Sequence, residues 1–214
     1  NNNDNNNYYD ESNEYNGMIS IELRGNSSLN NPKKSYRFET ILENGENNNV
    51  SLLGMPEEND WILYAPYQDK TLIRNVLTYA IYNAMDRYTS RTKYCELFID
   101  GEYMGVYVLM EKIKRDSNRI DINKLKNTEI QGDDLTGGYI LEFNHDADET
   151  NSFNSIYDEM SYQYYYPDYD EIVLEQKEYI QQFVNDFETV MMSEDYNNLD
   201  YGYSNIIDVS SFID

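Results

Sequence analysis

The sequence predicts an α+β fold: an antiparallel sheet with one long helix, followed by the truncated start of a helical segment. Three observations carry this. Residues 93–113 read as a β-hairpin, two aromatic and β-branched runs joined at Asp100-Gly101, a dipeptide suited to a type I′ turn. From Lys70 to Met85, the residues Leu72, Ile73, Val76, Leu77, Ala80, Ile81, Ala84 and Met85 recur at helical spacing, with Asp69 at the N-cap position. A second amphipathic helix spans Glu175 to Met192, with Tyr179, Ile180, Phe183, Val184 and Phe187 on one stripe.

The remaining elements fall between these. Residues 1–16, rich in Asn and acids, lack the apolar period that repays ordering and read as a disordered leader. Met18 to Arg24 alternates Ile19, Ile21 and Leu23 against Ser20 and Glu22, as a half-buried strand does. Lys33 to Leu42 alternates again after a turn at Asn30-Asn31-Pro32. Leu52-Leu53-Gly54 and Trp61–Tyr64 are short apolar elements, Asp121–Leu125 a helical turn, and Gly137–Phe143 a further strand. Residues 144–170, acidic and Tyr-rich, read as a long surface insertion without period. Asp208–Asp214 has the pattern of a capped first helical turn, so the chain is expected to be a fragment.

Charge is unevenly placed. The 214 residues carry a net −24, which excludes a general affinity for nucleic acid or anionic membrane. Arg24 to Lys126 holds 15 bases against 14 acids, whereas residues 127–214 hold one base against 21 acids. No apolar run approaches the ~18 residues of a membrane span. The single cysteine, Cys95, lies within a predicted strand and reads as a core residue.

Three constellations bear on chemistry. Arg24, Lys34 and Arg37, with Lys33, lie on adjacent predicted strands beside a Gly-containing turn. Such cations suit phosphate oxygens, and they are also what the solvent-facing side of a half-buried sheet, or pairing with nearby acids, calls for. Asp69, Lys70, Arg74 and Asn75 cluster at the start of the long helix, where a structural role suffices. The exit from the hairpin, Glu111-Lys112-Ile113, ends an apolar strand at a charged pair and offers backbone donors and acceptors to a flat heterocycle. His145 is the one histidine, so neither a Ser-His-Asp triad with a spare nor an H-E-x-x-H site can be built. Carboxylate pairs such as Asp133/Asp134 and Asp146/Asp148 are expected by chance among 40 acids.

Taken in order, these segments resemble the CotH kinase family. The matching pieces are Arg24-Gly25-Asn26-Ser27-Ser28, Pro32-Lys33-Lys34-Ser35-Tyr36-Arg37, Asp60-Trp61-Ile62-Leu63, Leu72-Ile73-Arg74-Asn75, Asp100–Tyr107 through Ile113, and Gly137–Glu142. The resemblance implies a protein-kinase-like N-lobe over residues 17–143, the 144–170 insertion, and the truncated helical start of a C-lobe over 171–214. It implies phosphoryl transfer from ATP, with Mg²⁺ or Mn²⁺, to Ser or Thr of secreted or coat proteins. Lys34 is the expected phosphate-contacting lysine, with Lys33 beside it and Arg24 near. Glu111, Lys112 and Ile113 would form the adenine-side hinge. An extracellular or spore-surface location rests on the resemblance alone.

One departure stands out. The family's catalytic Asp, in an Asn-x-Asp-type stretch, and its metal-binding Asp, in a Trp-Asp-x-Asp-type stretch, have no counterpart after Asp86, and Trp61 is the one tryptophan. The rest of the kinase domain, with its catalytic and metal ligands, is therefore expected beyond residue 214, and the fragment alone is expected to be inactive. The alternatives are a non-catalytic surface or coat assembly protein and, more distantly, an acidic Ca²⁺- or carbohydrate-binding module.

Overall fold

A computed structural model describes residues 14–145 and 147–213. The predicted leader lies mostly outside them, as does Asp146. The chain divides into two compact units between Ile113 and Lys114. Both are α+β with antiparallel sheets.

The first unit is built on five strands: β1 (Met18–Arg24), β2 (Ser35–Ile41), β3 (Asp60–Tyr64), β4 (Thr92–Ile99) and β5 (Glu102–Glu111). Their order is β1-β2-β3-β5-β4, all neighbours antiparallel. The central strand, β3, is buried on both sides, which explains its unbroken Trp61-Ile62-Leu63 run. The β4–β5 turn is the predicted one: Ile99 pairs with Glu102, and Asp100 and Gly101 take φ of 50° and 81°.

Register separates the sheet's faces. Tyr36, Phe38, Trp61, Leu63, Tyr107 and Leu109 share one, against which Leu52, Leu53 and Met55 pack. We call it the loop face. Ile62, Tyr64, Val108, Met110 and Tyr94 occupy the other, the helix face. Here Tyr94 donates its hydroxyl to the Leu72 carbonyl (2.7 Å), at the approach to α1 (Arg74–Ala84).

Helix α1 starts four residues later than the pattern predicts. Asp69 accepts the N–H groups of Thr71 (3.0 Å) and Arg74 (2.8 Å), and Leu72 takes a φ of 62°, which no α-helix tolerates. Asp69 thus satisfies the first helical N–H from outside the helix. The stripe seen in the sequence is not a buried one: Ile73, Leu77, Ile81 and Met85 are all exposed.

In the second unit, β6 (Ile140–Asn144), β7 (Ser152–Asn154) and β8 (Ser161–Tyr166) form a sheet of order β6-β8-β7. Helix α2 (Leu174–Met191) buries Ile180 and Val184 with Phe153, Tyr164 and Ile172. Residues 144–170 thus contribute β7 and β8 to this sheet. Phe153 and Tyr164 are core residues, and the tyrosines of β8 do the packing that aliphatic residues do elsewhere. Residues 121–125 form no helical turn. Leu125 is buried and its N–H donates to the Tyr166 hydroxyl (3.2 Å). Gln176 fastens the same stretch to α2, donating to the carbonyls of Lys126 (2.7 Å) and Glu129 (3.1 Å). A short helix, α3 (Val209–Ile213), follows, its N–H groups received by Asp208.

Candidate functional site: a loop with unneutralised cations

The connection between β1 and β2 leaves the sheet after Arg24 and returns at Lys33 and Lys34, so both strands deliver cations to one loop. Gly25 makes the sharp exit, at φ 125°, and a Cβ there would fall 2.0 Å from Ser28 Oγ. The loop then forms a 3₁₀ turn, Ser27–Asn30, and Lys34 donates to the Leu29 carbonyl (2.5 Å), closing its base.

Lys33 behaves differently from its neighbour. Its ammonium crosses onto the loop face, donates to the Val106 carbonyl (2.5 Å) and sits 4.4 Å from the centre of the Tyr107 ring. Burial lowers its pKa below the usual lysine value. A bulge in β5 makes the room: register shifts between Leu97 and Phe98, and Gly105, at φ 94°, lacks the Cβ that would stand 3.3 Å from Lys33 Nζ. The Tyr107 hydroxyl, pushed up to about 12 by burial, donates to the Lys34 carbonyl (2.9 Å) and holds the loop's other strand in register.

Arg24, by contrast, pairs with Ser35 in a row that belongs to the helix face. Register thus puts Arg24 and the Lys33 ammonium on opposite sides of the sheet, flanking one loop and not lining one cavity. All three cations share a chemical property. Among the described residues, Arg24, Lys33 and Lys34 have no carboxylate partner, whereas Arg37, Arg74, Arg91 and Lys112 pair with Glu22, Asp69, Glu111 and Asp60. In a chain with 40 acids, leaving three neighbouring cations without one concentrates positive potential at this loop.

The hairpin exit is built otherwise. The Glu111 side chain is buried and receives the Arg91 guanidinium (2.5 Å) and backbone N–H (2.9 Å). Lys112 reaches Asp60 (3.3 Å) across the helix face, and Ile113 is exposed. The segment also marks where the chain leaves the first unit. It lies five residues along β5 from Val106, roughly 17 Å at the usual strand rise. The structure therefore brings Arg24, Lys33 and Lys34 to one end of the sheet and Glu111, Lys112 and Ile113 to the other.

Sequence reasoning missed Gly105, Tyr107 and Arg91. Only Gly105 left a signal, an isolated glycine inside a strand pattern. Cys95 is held up to about 11 by burial, as a core thiol is. His145 is exposed.

A five-stranded antiparallel sheet, one helix and a cation-bearing loop define an α+β domain. Its family follows from comparison: the profile described as CotH kinase protein matches residues 21–214, and the chain belongs to the CotH kinase family. The match continues through residues 144–200, where the sequence shows no recognisable motif. No curated protein matches the chain.

Proposed function

We propose that the chain is the ATP-holding part of a secreted CotH-like protein kinase, on a protein-kinase-like fold, acting on Ser or Thr of extracellular or coat proteins. One observation carries this: three cations flank the β1–β2 loop, Arg24 on one side of the sheet and the Lys33 ammonium on the other, and none has a carboxylate partner among the described residues. A triphosphate supplies the missing negative charge. Lys33 would exchange the Val106 carbonyl for phosphate oxygens, while Arg24 and Lys34 neutralise charge from the loop's two sides. The hairpin exit, at a distance on the scale of an extended nucleotide, would border the base.

A kinase of this kind uses a divalent metal to neutralise phosphate charge during transfer. Among the described residues no group of three or more His, Cys, Asp or Glu side chains is placed to hold one. These residues do not fit a metal site, and no transfer step is assigned to them. The second reading is a non-catalytic surface or coat assembly protein that keeps the nucleotide site. No helix among the described residues is long and apolar enough to cross a membrane.

Thermal denaturation with and without ATP and Mg²⁺ tests the proposal. ATP should raise the melting temperature of the wild-type chain, Lys33→Met should abolish the rise, and Arg24→Met or Lys34→Met should reduce it. An undiminished rise in the triple variant would refute the site. Phosphate release from labelled ATP by the 214-residue chain would refute its expected inactivity.

A further inference from the structure

The loop face carries a cavity as well as a core. β1 and β4 are opposite edges of the sheet, yet Ile21 and Leu23 of one and Leu97 and Ile99 of the other line a single space of about 580 Å³. Phe38 and Leu63 also line it. Opposite edges meet in this way because a twisted five-stranded sheet curls. Ile21 and Leu23 remain 43% and 55% exposed, so the space is open to solvent. Its size is that of small-molecule sites.

The walls are apolar apart from Glu22 and the Tyr36 phenol, and the Glu22 carboxylate is engaged by Arg37 at 2.6 Å. Lys33 stands at the margin. Leu97, in the wall, pairs with Gly105, and the Lys33 ammonium occupies the space a Gly105 side chain would need. Tyr36, also in the wall, lies 6.3 Å ring to ring from Tyr107, over which Lys33 sits. The result is an apolar trough with one positive charge, lacking a carboxylate, at its rim. An adenine ring suits it poorly. The ring nitrogens and amino group need several polar partners, and an unmatched polar edge is costly to bury. A hydrocarbon chain needs none.

We infer that this cavity binds a medium-chain aliphatic carboxylate, its tail between the two sheet edges and its head group on Lys33. The nucleotide proposal shares Lys33 but none of the apolar walls, so the two separate experimentally.

The probes are decanoate and, as its uncharged counterpart, decanol, titrated calorimetrically into the 214-residue chain. Decanoate should bind about tenfold more tightly than decanol, the worth of one charge-assisted hydrogen bond. Lys33→Met should erase that preference. Ile21→Trp, which fills the trough from its exposed edge, should weaken both probes while leaving the ATP-induced rise in melting temperature intact. The inference is overturned if decanoate does not bind, binds no better than decanol, or binds Ile21→Trp as well as wild type. Retained decanoate binding with no ATP effect would uphold the cavity and remove only the nucleotide.

Discussion

The two ends of the five-stranded sheet use the same residue types to opposite effect. At the hairpin exit, Glu111 and Lys112 each find a partner, Arg91 and Asp60, and both carboxylates are buried. At the β1–β2 loop, Arg24, Lys33 and Lys34 find carbonyls, an aromatic face or solvent, but no carboxylate. Charge that folding has already neutralised holds structure together. Charge that folding leaves without a counter-ion is what a ligand can use.

The sharpest way to break this contrast is Glu111→Ala. It leaves the Arg91 N–H without its acceptor and a cavity where the Glu111 side chain was buried, while the guanidinium, 39% exposed, turns to solvent. The expected cost is about 2 kcal/mol in urea denaturation. Lys33→Met, at the other end, should stay within about 0.5 kcal/mol of wild type, because no charged partner is orphaned. Equal costs would remove the distinction between a structural end and a binding end.

Next in size is Gly105→Ala. A φ of 94° strains any L-residue, and the new methyl meets the Lys33 ammonium at 3.3 Å. The expected loss is about 1–2 kcal/mol. Because the obstructing atom is the tip of a flexible side chain, Lys33 should move away, and the ATP-induced rise should change along with stability. A variant that loses stability and leaves the ATP effect untouched would show that the Lys33 position is incidental.

How much of this the sequence revealed depends on how local each signal is. The hairpin and both long helices were legible because their periods and turn dipeptide are written within a few residues. That the hydroxyl-bearing aromatics Tyr162 and Tyr164 build a sheet was not, since Tyr reads as neither core nor surface and residues 144–160 carry no alternation. The choice between Lys33 and Lys34 was illegible for another reason. The chain reverses at the strand end, and which lysine crosses the sheet depends on a bulge at Gly105, some 70 residues away. Likewise, nothing near Glu111 announces Arg91 as its partner, 20 residues upstream. The cation cluster was visible in sequence, but its lack of carboxylates exists only in three dimensions.

A smaller effect, confined to acid, is expected at α1. Hydrogen bonds from the Thr71 hydroxyl and the Arg74 and Thr71 amides hold the Asp69 carboxyl below its ordinary value of 3.8. A lowered folded value means the unfolded chain binds more protons, so the contribution is complete above about pH 4 and disappears as pH falls through the folded value. Asp69→Asn should therefore flatten the acid limb of the stability curve. An unchanged limb would place the turn's stability in its backbone.

The smallest effect on stability belongs to Arg37→Ala. Its pair with Glu22 is half exposed on both sides, and such pairs contribute little and are screened by salt. Melting should hardly move, which would show that burial, and not pairing by itself, separates Glu111 from the rest. The substitution should nevertheless reach the loop. Glu22 and Arg24 alternate onto the same face of β1, two residues apart. With Arg37 present, the Glu22 carboxylate is held away at 2.6 Å from its guanidinium; without it, Arg24 is the next cation along the strand. Arg37→Ala should thus weaken the ATP effect at low salt with the fold intact, and adding Glu22→Gln should restore it. If the single variant binds ATP like wild type, the helix-face side of the loop does not contribute, and the phosphate contacts contract to Lys33 and Lys34.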